Sequence, residues 1–332
     1  MPANLTPEYL AAEQRYREAA SPQERLEALE EMLRTVPKHK GTEKLQAEIK
    51  RKIARLHQEM QTRRGGARAH PFFHVPKEGA GQVVLLGPPN AGKSSLLAAL
   101  TNAAPEVAPY PLTTRMPQPG MMQFENVQVQ LVDTPPVCRG FDEGWLYSLF
   151  RAADAAVLVL ECSDDGILYL EETLQLLPAN RVFLVREDTA TPDDPSLPRG
   201  AYKRTVVVAN KWDLPTARDN LAVLTELVGK RLPGPALPVS ALRGDGLEVL
   251  RGRIFASLHK IRVYSKPPGR KPDLQAPFVL PRGSTVRDAA EVIHKELAEN
   301  LKYARLWGRG YQGQMVGRDH VLEDGDVLEL HV

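Results

Sequence analysis

Cysteine is scarce in this chain of 332 residues: Cys138 and Cys162 are its only two, and neither has metal-ligand spacing. That excludes a disulfide framework and a cysteine zinc site, and fits thiols kept reduced in a cytoplasmic setting. His70 and His74 lie close together, but no cysteine or carboxylate is spaced to close a metal site with them. Long apolar runs are missing as well. No stretch approaches the ~20 residues needed to cross a bilayer, and the opening MPANLTPEYLAAEQRYREAA lacks the apolar core of a secretion signal. These absences predict a cytoplasmic protein with no membrane partner. Net charge is almost absent too, since 43 Lys and Arg stand against 41 Asp and Glu. Electrostatic information must therefore lie in how the charge is distributed.

What is present is more specific. Residues 87–94 read GPPNAGKS, after the apolar run 82–86 (QVVLL) and before SSLLAAL, which has helical character. A glycine-rich turn from strand to helix points successive backbone N–H groups at an anion, with the positive end of the helix dipole behind them. Gly87, Pro88, Pro89, Asn90, Ala91, Gly92, Lys93, Ser94 and Ser95 are the expected phosphate cradle. Gly87 and Gly92 allow the close turn, Lys93 reaches the β- and γ-phosphates, and the Ser94 hydroxyl is placed for Mg²⁺. Asp133 follows the strand-like run 127–132 and is the expected carboxylate of the Mg²⁺ site. Thr114, with Thr113 as the alternative, lies in YPLTTR between the first helix and that strand. A threonine there binds Mg²⁺ through its hydroxyl and senses the γ-phosphate through its backbone, so Lys93 and Thr114 are the expected catalytic pair.

The base is read further on. Asn210-Lys211-Trp212-Asp213 follows TVVVA, and Ser240-Ala241-Leu242 follows PALPV. Asp213 can accept both the ring N1–H and the exocyclic N2–H of guanine, a pattern that adenine does not offer. Asn210 and the Lys211 stem brace the loop and cover the ring, while the 240–242 backbone adds an N–H toward the guanine oxygen. The expected ligand is GTP or GDP.

Apolar runs at 82–86, 127–132, 156–160, 205–209 and 236–239 alternate with helical segments. The expected fold is α/β, a mostly parallel sheet with helices on both faces, and the motifs fall at the carboxyl ends of its strands. Residues 1–64 read as a helical hairpin. Thr6-Pro7 and Ser21-Pro22 are helix starts, and Leu26, Leu29 and Leu33 and then Leu45, Ile49, Ile53 and Leu56 form apolar stripes on either side of a break at 35–42. From Arg34 to Arg68 there are 11 Lys/Arg against 3 Asp/Glu. Two readings stand, a solvated helix face and an electrostatic footprint for RNA. Residues 65–80 and 263–275 read as linkers around a domain at 81–262. Residues 276–332 read as strands wrapped on one helix of about 286–301, a ubiquitin-like grasp.

The motifs together resemble the Obg/HflX-like class of translation-factor GTPases. The C-terminal unit looks like a TGS domain, and KYARLWG with VGRDHVLEDGDV is similar to the developmentally regulated GTP-binding (DRG) proteins, as is RTVPKHKGTEKLQAEIKRKIARL. The resemblance spans nearly the whole chain and implies a ribosome or RNA partner. It specifies no oligomeric state. A tRNA-modification GTPase is a distant reading, because no flavin-type module accompanies the domain.

Departures from the class pattern matter. The usual Asp-x-x-Gly is here Asp133-Thr134-Pro135-Pro136, and Pro136 has no N–H to offer a γ-phosphate. Val137 stands where Ras-like enzymes carry a water-orienting glutamine, so slow hydrolysis is expected; the alternative is a GTP/GDP switch or scaffold that barely hydrolyses. The stretch between Asp133 and Asn210 is short for the extra subdomain of DRG proteins, with 186–204 as its remnant. Asn90 has two readings, a permissive turn residue and a K⁺ ligand of the kind some GTPases use to neutralise phosphate charge.

Overall fold

The computed structural model describes Tyr9, Ala12, residues 14–16, 22–36, Ile49, Lys52, and residues 75–101, 116–138, 143–163, 166–190, 194 and 196–332. The chain divides into two compact units, residues 1–70 and 71–332. In the first, helix α1 spans Pro22–Thr35, with proline at its first position as the sequence predicts. Leu29, Met32 and Val36 are buried with Tyr9, Ala12 and Ile49, and Leu33 packs on the same cluster. Leu26 lies on α1, while Leu45, Ile53, Leu56, the Thr6-Pro7 start and most of the basic stretch lie outside the described residues.

The second unit opens with a parallel sheet. Its strands are β1 (Gln82–Leu86), β2 (Gln118–Phe124), β3 (Val127–Asp133), β4 (Ala155–Glu161), β5 (Val182–Arg186), β6 (Ala201–Asn210) and β7 (Leu237–Pro238). Their order is β2-β3-β1-β4-β6-β5, with β7 on β6. Among the described strands of this sheet, only the β2–β3 pair is antiparallel. Helices α2 (Lys93–Leu100), α3 (Gly144–Ala152), α4 (Gly166–Ala179), α5 (Ala217–Val228) and α6 (Leu247–Ser257) cover both faces. Covering both faces gives the inner strands runs of successive apolar residues, such as Val83–Leu86 in β1 and Ala155–Leu160 in β4, rather than strict alternation. Val83 and Leu85 of β1 pack in one core with Leu96 and Ile254. Val84 and Leu86 pack in the other with Phe150 and Leu170.

A second sheet follows, from β8 (Lys260–Ser265), β9 (Phe278–Pro281), β10 (Tyr303–Gly308), β11 (Tyr311–Val316) and β12 (Asp326–His331), in the order β11-β10-β12-β8-β9. Helices α7 (Val286–Ile293) and α8 (Lys295–Asn300) accompany it, and α7 is held by a capping box between Thr285 and Asp288. The single helix expected over 286–301 is thus two, broken where His294 turns to extended backbone at φ −165°. The expected boundary at 262/263 falls inside β8, which pairs with both β9 and β12. In sequence β8 merges with the apolar end of the preceding helix, and the proline-rich texture begins only after it. Among the described residues, the 187–200 crossover carries no helix or strand. Among the described residues no helix is long and apolar enough to cross a membrane.

Candidate functional site

The loop between β1 and α2 turns as its sequence predicts. Gly92 caps α2 in the left-handed region at φ 84°, and a Cβ there would collide with Asn210 Nδ2. Asn90 is also left-handed, at φ 59°, and its side chain is exposed. Pro88 and Ala91 are buried, whereas Pro89, Ser94 and Ser95 are half-buried. Lys93 lies inside the loop, its Nζ donating to Gly87 O at 3.2 Å and Pro88 O at 2.9 Å. Burial holds its pKa down to about 8, against the pull of Asp133 in the other direction.

Asp133 sits at the end of β3, completely buried. Ser94 Oγ donates to its Oδ2 at 2.5 Å, while Oδ1 is buried with no hydrogen-bond partner among the described residues. Burial pushes this carboxyl above its ordinary range, with Ser94 and Lys93 opposing. An orphaned carboxylate oxygen beside a hydroxyl is an all-oxygen donor set, and it fits a hard divalent cation such as Mg²⁺. Thr113 and Thr114 lie outside the described residues.

The segment after Asp133 is bound to the loop by its backbone. Thr134 Oγ1 donates to Leu85 O at 2.7 Å, and Val137 N–H donates to Gly87 O at 3.1 Å. Thr173 Oγ1 donates to Val137 O at 2.8 Å from α4. The Val137 side chain is fully buried in the core that holds Leu86 and Phe150. It faces apolar neighbours, so it orients nothing at a γ-phosphate.

At the base-reading end, Asn210 joins three segments. Its Nδ2 donates to Ala91 O at 2.9 Å, and its Oδ1 accepts from Ala241 N–H at 3.2 Å. Ser240 Oγ donates to Asp213 Oδ1 at 2.6 Å and accepts from Arg243 N–H at 3.0 Å. That hydroxyl holds the Asp213 carboxyl below its ordinary range, fixing it as an acceptor. Lys211, left-handed at φ 63°, pairs with Glu161 Oε1 at 2.5 Å. Leu242 is exposed. The sequence-predicted groups Gly87–Ser95, Asp133, Asn210–Asp213 and Ser240–Leu242 are thus gathered at one end of the sheet.

Three supporting residues were not singled out in the sequence. Thr134 ties the Asp133 segment to β1, and Asn220 Nδ2 reaches Cys162 O at 3.2 Å to tie α5 to the end of β4. Glu161, the partner of Lys211, stands opposite Asn210 in the β4–β6 register. A charged residue ending an otherwise apolar strand was the available signal.

Comparison with known proteins finds GTPase and TGS-domain relatives. Residues 82–211 match the 50S ribosome-binding GTPase family, and residues 261–332 match the TGS domain. An uncharacterized GTP-binding protein of Halobacterium salinarum is 30% identical over 365 residues, covering 93% of this chain and 98% of that one. One from Methanocaldococcus jannaschii is 29% identical over 363 residues, covering 93% and 92%. The developmentally-regulated G-protein 2 of Arabidopsis thaliana is 29% identical over 367 residues, covering 92% and 90%. Among solved structures, the YchF GTPase of Schizosaccharomyces pombe aligns with a TM-score of 0.50 over 78% of this chain and 99% of that one; at 14% identity the likeness is one of fold. With its P-loop, its guanine-reading strings, its second sheet and relatives along almost its full length, the chain belongs to the DRG-like family of Obg-type GTP-binding proteins that carry a C-terminal TGS domain.

Proposed function

We propose that this protein is a Mg²⁺-dependent GTPase of slow intrinsic turnover, whose nucleotide state regulates binding to a ribosome or RNA partner. The observation that carries the slow rate is Val137, buried in the core with its N–H committed to Gly87 O. Pro136 beside it adds no N–H. Water would have to attack the γ-phosphate in line without a side chain from this segment to orient it.

Catalysis then rests on positioning and on charge. The loop N–H groups and Lys93 would take up charge on the phosphate oxygens, Asn210 would keep the loop and the base-reading segments in register, and Thr114 would order its loop around the γ-phosphate. Ser94 and Asp133 would hold Mg²⁺, which when bound neutralises phosphate charge. Asp213 would read guanine from a carboxylate already pinned by Ser240. A K⁺ ion at Asn90 would supply further neutralisation; the exposed side chain at the loop tip supports it, and the left-handed backbone supports a turn residue equally well. Equal hydrolysis rates in K⁺ and Na⁺ buffers would dispose of the ion.

The same Val137 and Pro136 favour a second reading, a GTP/GDP switch or scaffold with negligible hydrolysis. Single-turnover hydrolysis of GTP with and without ribosomes separates the two. Measurable turnover accelerated by ribosomes selects the enzyme; none in either condition selects the switch. The ribosomal partner is supported by the 50S ribosome-binding family matched at residues 82–211. Cosedimentation in the two nucleotide states tests it.

A further inference from the structure

The end of the sheet opposite the nucleotide motifs carries a second concentration of positive charge. Arg151, Ala179, Asn180, Arg181, Arg199 and Gly200 line a cavity of about 550 Å³, within the usual range for small-ligand sites. It lies where β5 and β6 begin, whereas Asn210 ends β6. Nine steps of extended strand put the two sites on the order of 30 Å apart.

We infer that this cavity binds linked phosphate groups. Three arginines line it, and among the described residues no Asp or Glu does. Arg181 and Arg199 have no side-chain partner among the described residues, and the Arg151 guanidinium donates only to neutral groups, Asn180 O at 3.0 Å and Ser148 Oγ at 2.9 Å. Arg186 and Arg231, by contrast, pair with Asp188 and Glu171. Like charges gathered without acids raise the local potential, and the planar fork of arginine matches phosphate oxygens two at a time. Lys203 lies behind them, donating to Arg151 O at 2.7 Å, with Asp154 close enough to offset part of its charge.

The backbone holds this arrangement at a conformational cost. Arg181 is left-handed at φ 59°, a region that non-glycine residues enter rarely and with strain. It is fixed there by Arg181 N–H to Pro178 O at 3.0 Å and by Ala201 N–H to Arg181 O at 2.9 Å. Gly200 has no room for a Cβ, which would meet Arg181 O at 2.7 Å. Arg181 and Arg199 are therefore presented from a rigid corner rather than from two free loops.

Linked phosphates come from a free oligophosphate or from a nucleic-acid strand, and a binding experiment tells them apart. Full-length protein is first saturated with GDP and Mg²⁺ so that the P-loop is filled. Inorganic tripolyphosphate is then titrated at low salt by calorimetry, and short single-stranded RNA without a terminal phosphate is titrated in parallel. Saturable binding of either probe is expected, weakened at least tenfold by Arg181→Ala with Arg199→Ala and several-fold less by Arg181→Lys with Arg199→Lys. Tripolyphosphate binding that RNA does not displace assigns a free oligophosphate; displacement, or binding of RNA alone, assigns a strand. Neither probe binding, or binding unchanged in the alanine variant, overturns the site. GDP affinity should stay unchanged in every variant, so failure here is distinguishable from failure of the nucleotide site.

Discussion

At the scale of single residues, the site works through groups whose charge state is set by their neighbours. Asp213 is the clearest case, because the Ser240 hydroxyl fixes one carboxylate oxygen and keeps the group ionised. A hydrogen bond to a charged group contributes roughly 1.5–3 kcal/mol. Asp213→Asn should therefore weaken GTP by about one to two orders of magnitude and favour xanthine nucleotides, whose extra ring oxygen accepts from the amide. Competition binding with GTP and XTP checks this, and unchanged GTP affinity would remove Asp213 from the base-reading role. Lys93 gives a pH dependence instead. Burial lowers its pKa to about 8, so its ammonium is lost in the free protein as pH rises through that value. Bound phosphates favour the charged form, so binding above about pH 8 takes up a proton and GDP affinity falls by as much as tenfold per pH unit. Below about pH 7 this group contributes no slope. GDP titrations from neutral to alkaline pH, in buffers of different ionisation enthalpy, would show the uptake; a flat profile would mean that Lys93 stays charged without ligand.

At the scale of elements, the antiparallel β2–β3 hairpin both carries Asp133 at one end and meets the second sheet at the other. Its turn residue Glu125 pairs with Arg262 of β8, which also takes Asp324 Oδ2 at 2.8 Å and stands 5.2 Å from the Phe255 ring centroid. Asn126 Nδ2 donates to Tyr264 Oη at 2.7 Å. The Arg262 side chain is 10% exposed while Glu125 is 62% exposed, and this difference decides which end of the latch matters. Arg262→Ala removes buried packing and strips Asp324 of its guanidinium partner, leaving it the residue 262 N–H, an expected loss of about 2 kcal/mol; Glu125→Gln should cost under about 1 kcal/mol. Urea denaturation of both variants checks the order, and equal losses would place the energy in the exposed pair. Much of this element layout was legible beforehand. Val83–Leu86 of β1, Ala155–Leu160 of β4 and Val206–Ala209 of β6 are apolar at successive positions because both faces of the sheet are covered there, and the loop and base-reading strings name their own chemistry. β2 was not legible, since QPGMMQF has proline, glycine and polar residues that suit an edge hairpin better than a core strand. Short β5, VFLVR, is half-exposed and sits at the sheet edge, where little burial is demanded of it. Val137 could be read as a missing glutamine, but its place in the core depends on contacts from β1 and α4 that no local pattern encodes.

At the scale of the whole molecule, almost balanced charge conceals segments of opposite character. Between Arg34 and Arg68 there are 11 basic against 3 acidic residues, in the unit that carries no nucleotide motif. If this stretch meets RNA phosphates, counterion release makes the affinity fall with salt, with a slope in log–log form of about −0.7 per phosphate on a single strand. Lys50→Gln, Arg51→Gln and Lys52→Gln made together remove up to three such contacts, so the slope should flatten by about 2 while GDP binding is untouched. The arginines at the start of β5 and β6 belong to the other unit, and their substitution should flatten the slope separately and additively. Fluorescence anisotropy of labelled RNA over a range of KCl concentrations measures both effects in intact protein. A salt-independent affinity, or a triple variant with the wild-type slope, would return the basic stretch to a solvated helix face and leave ribosome binding to the residue 71–332 unit.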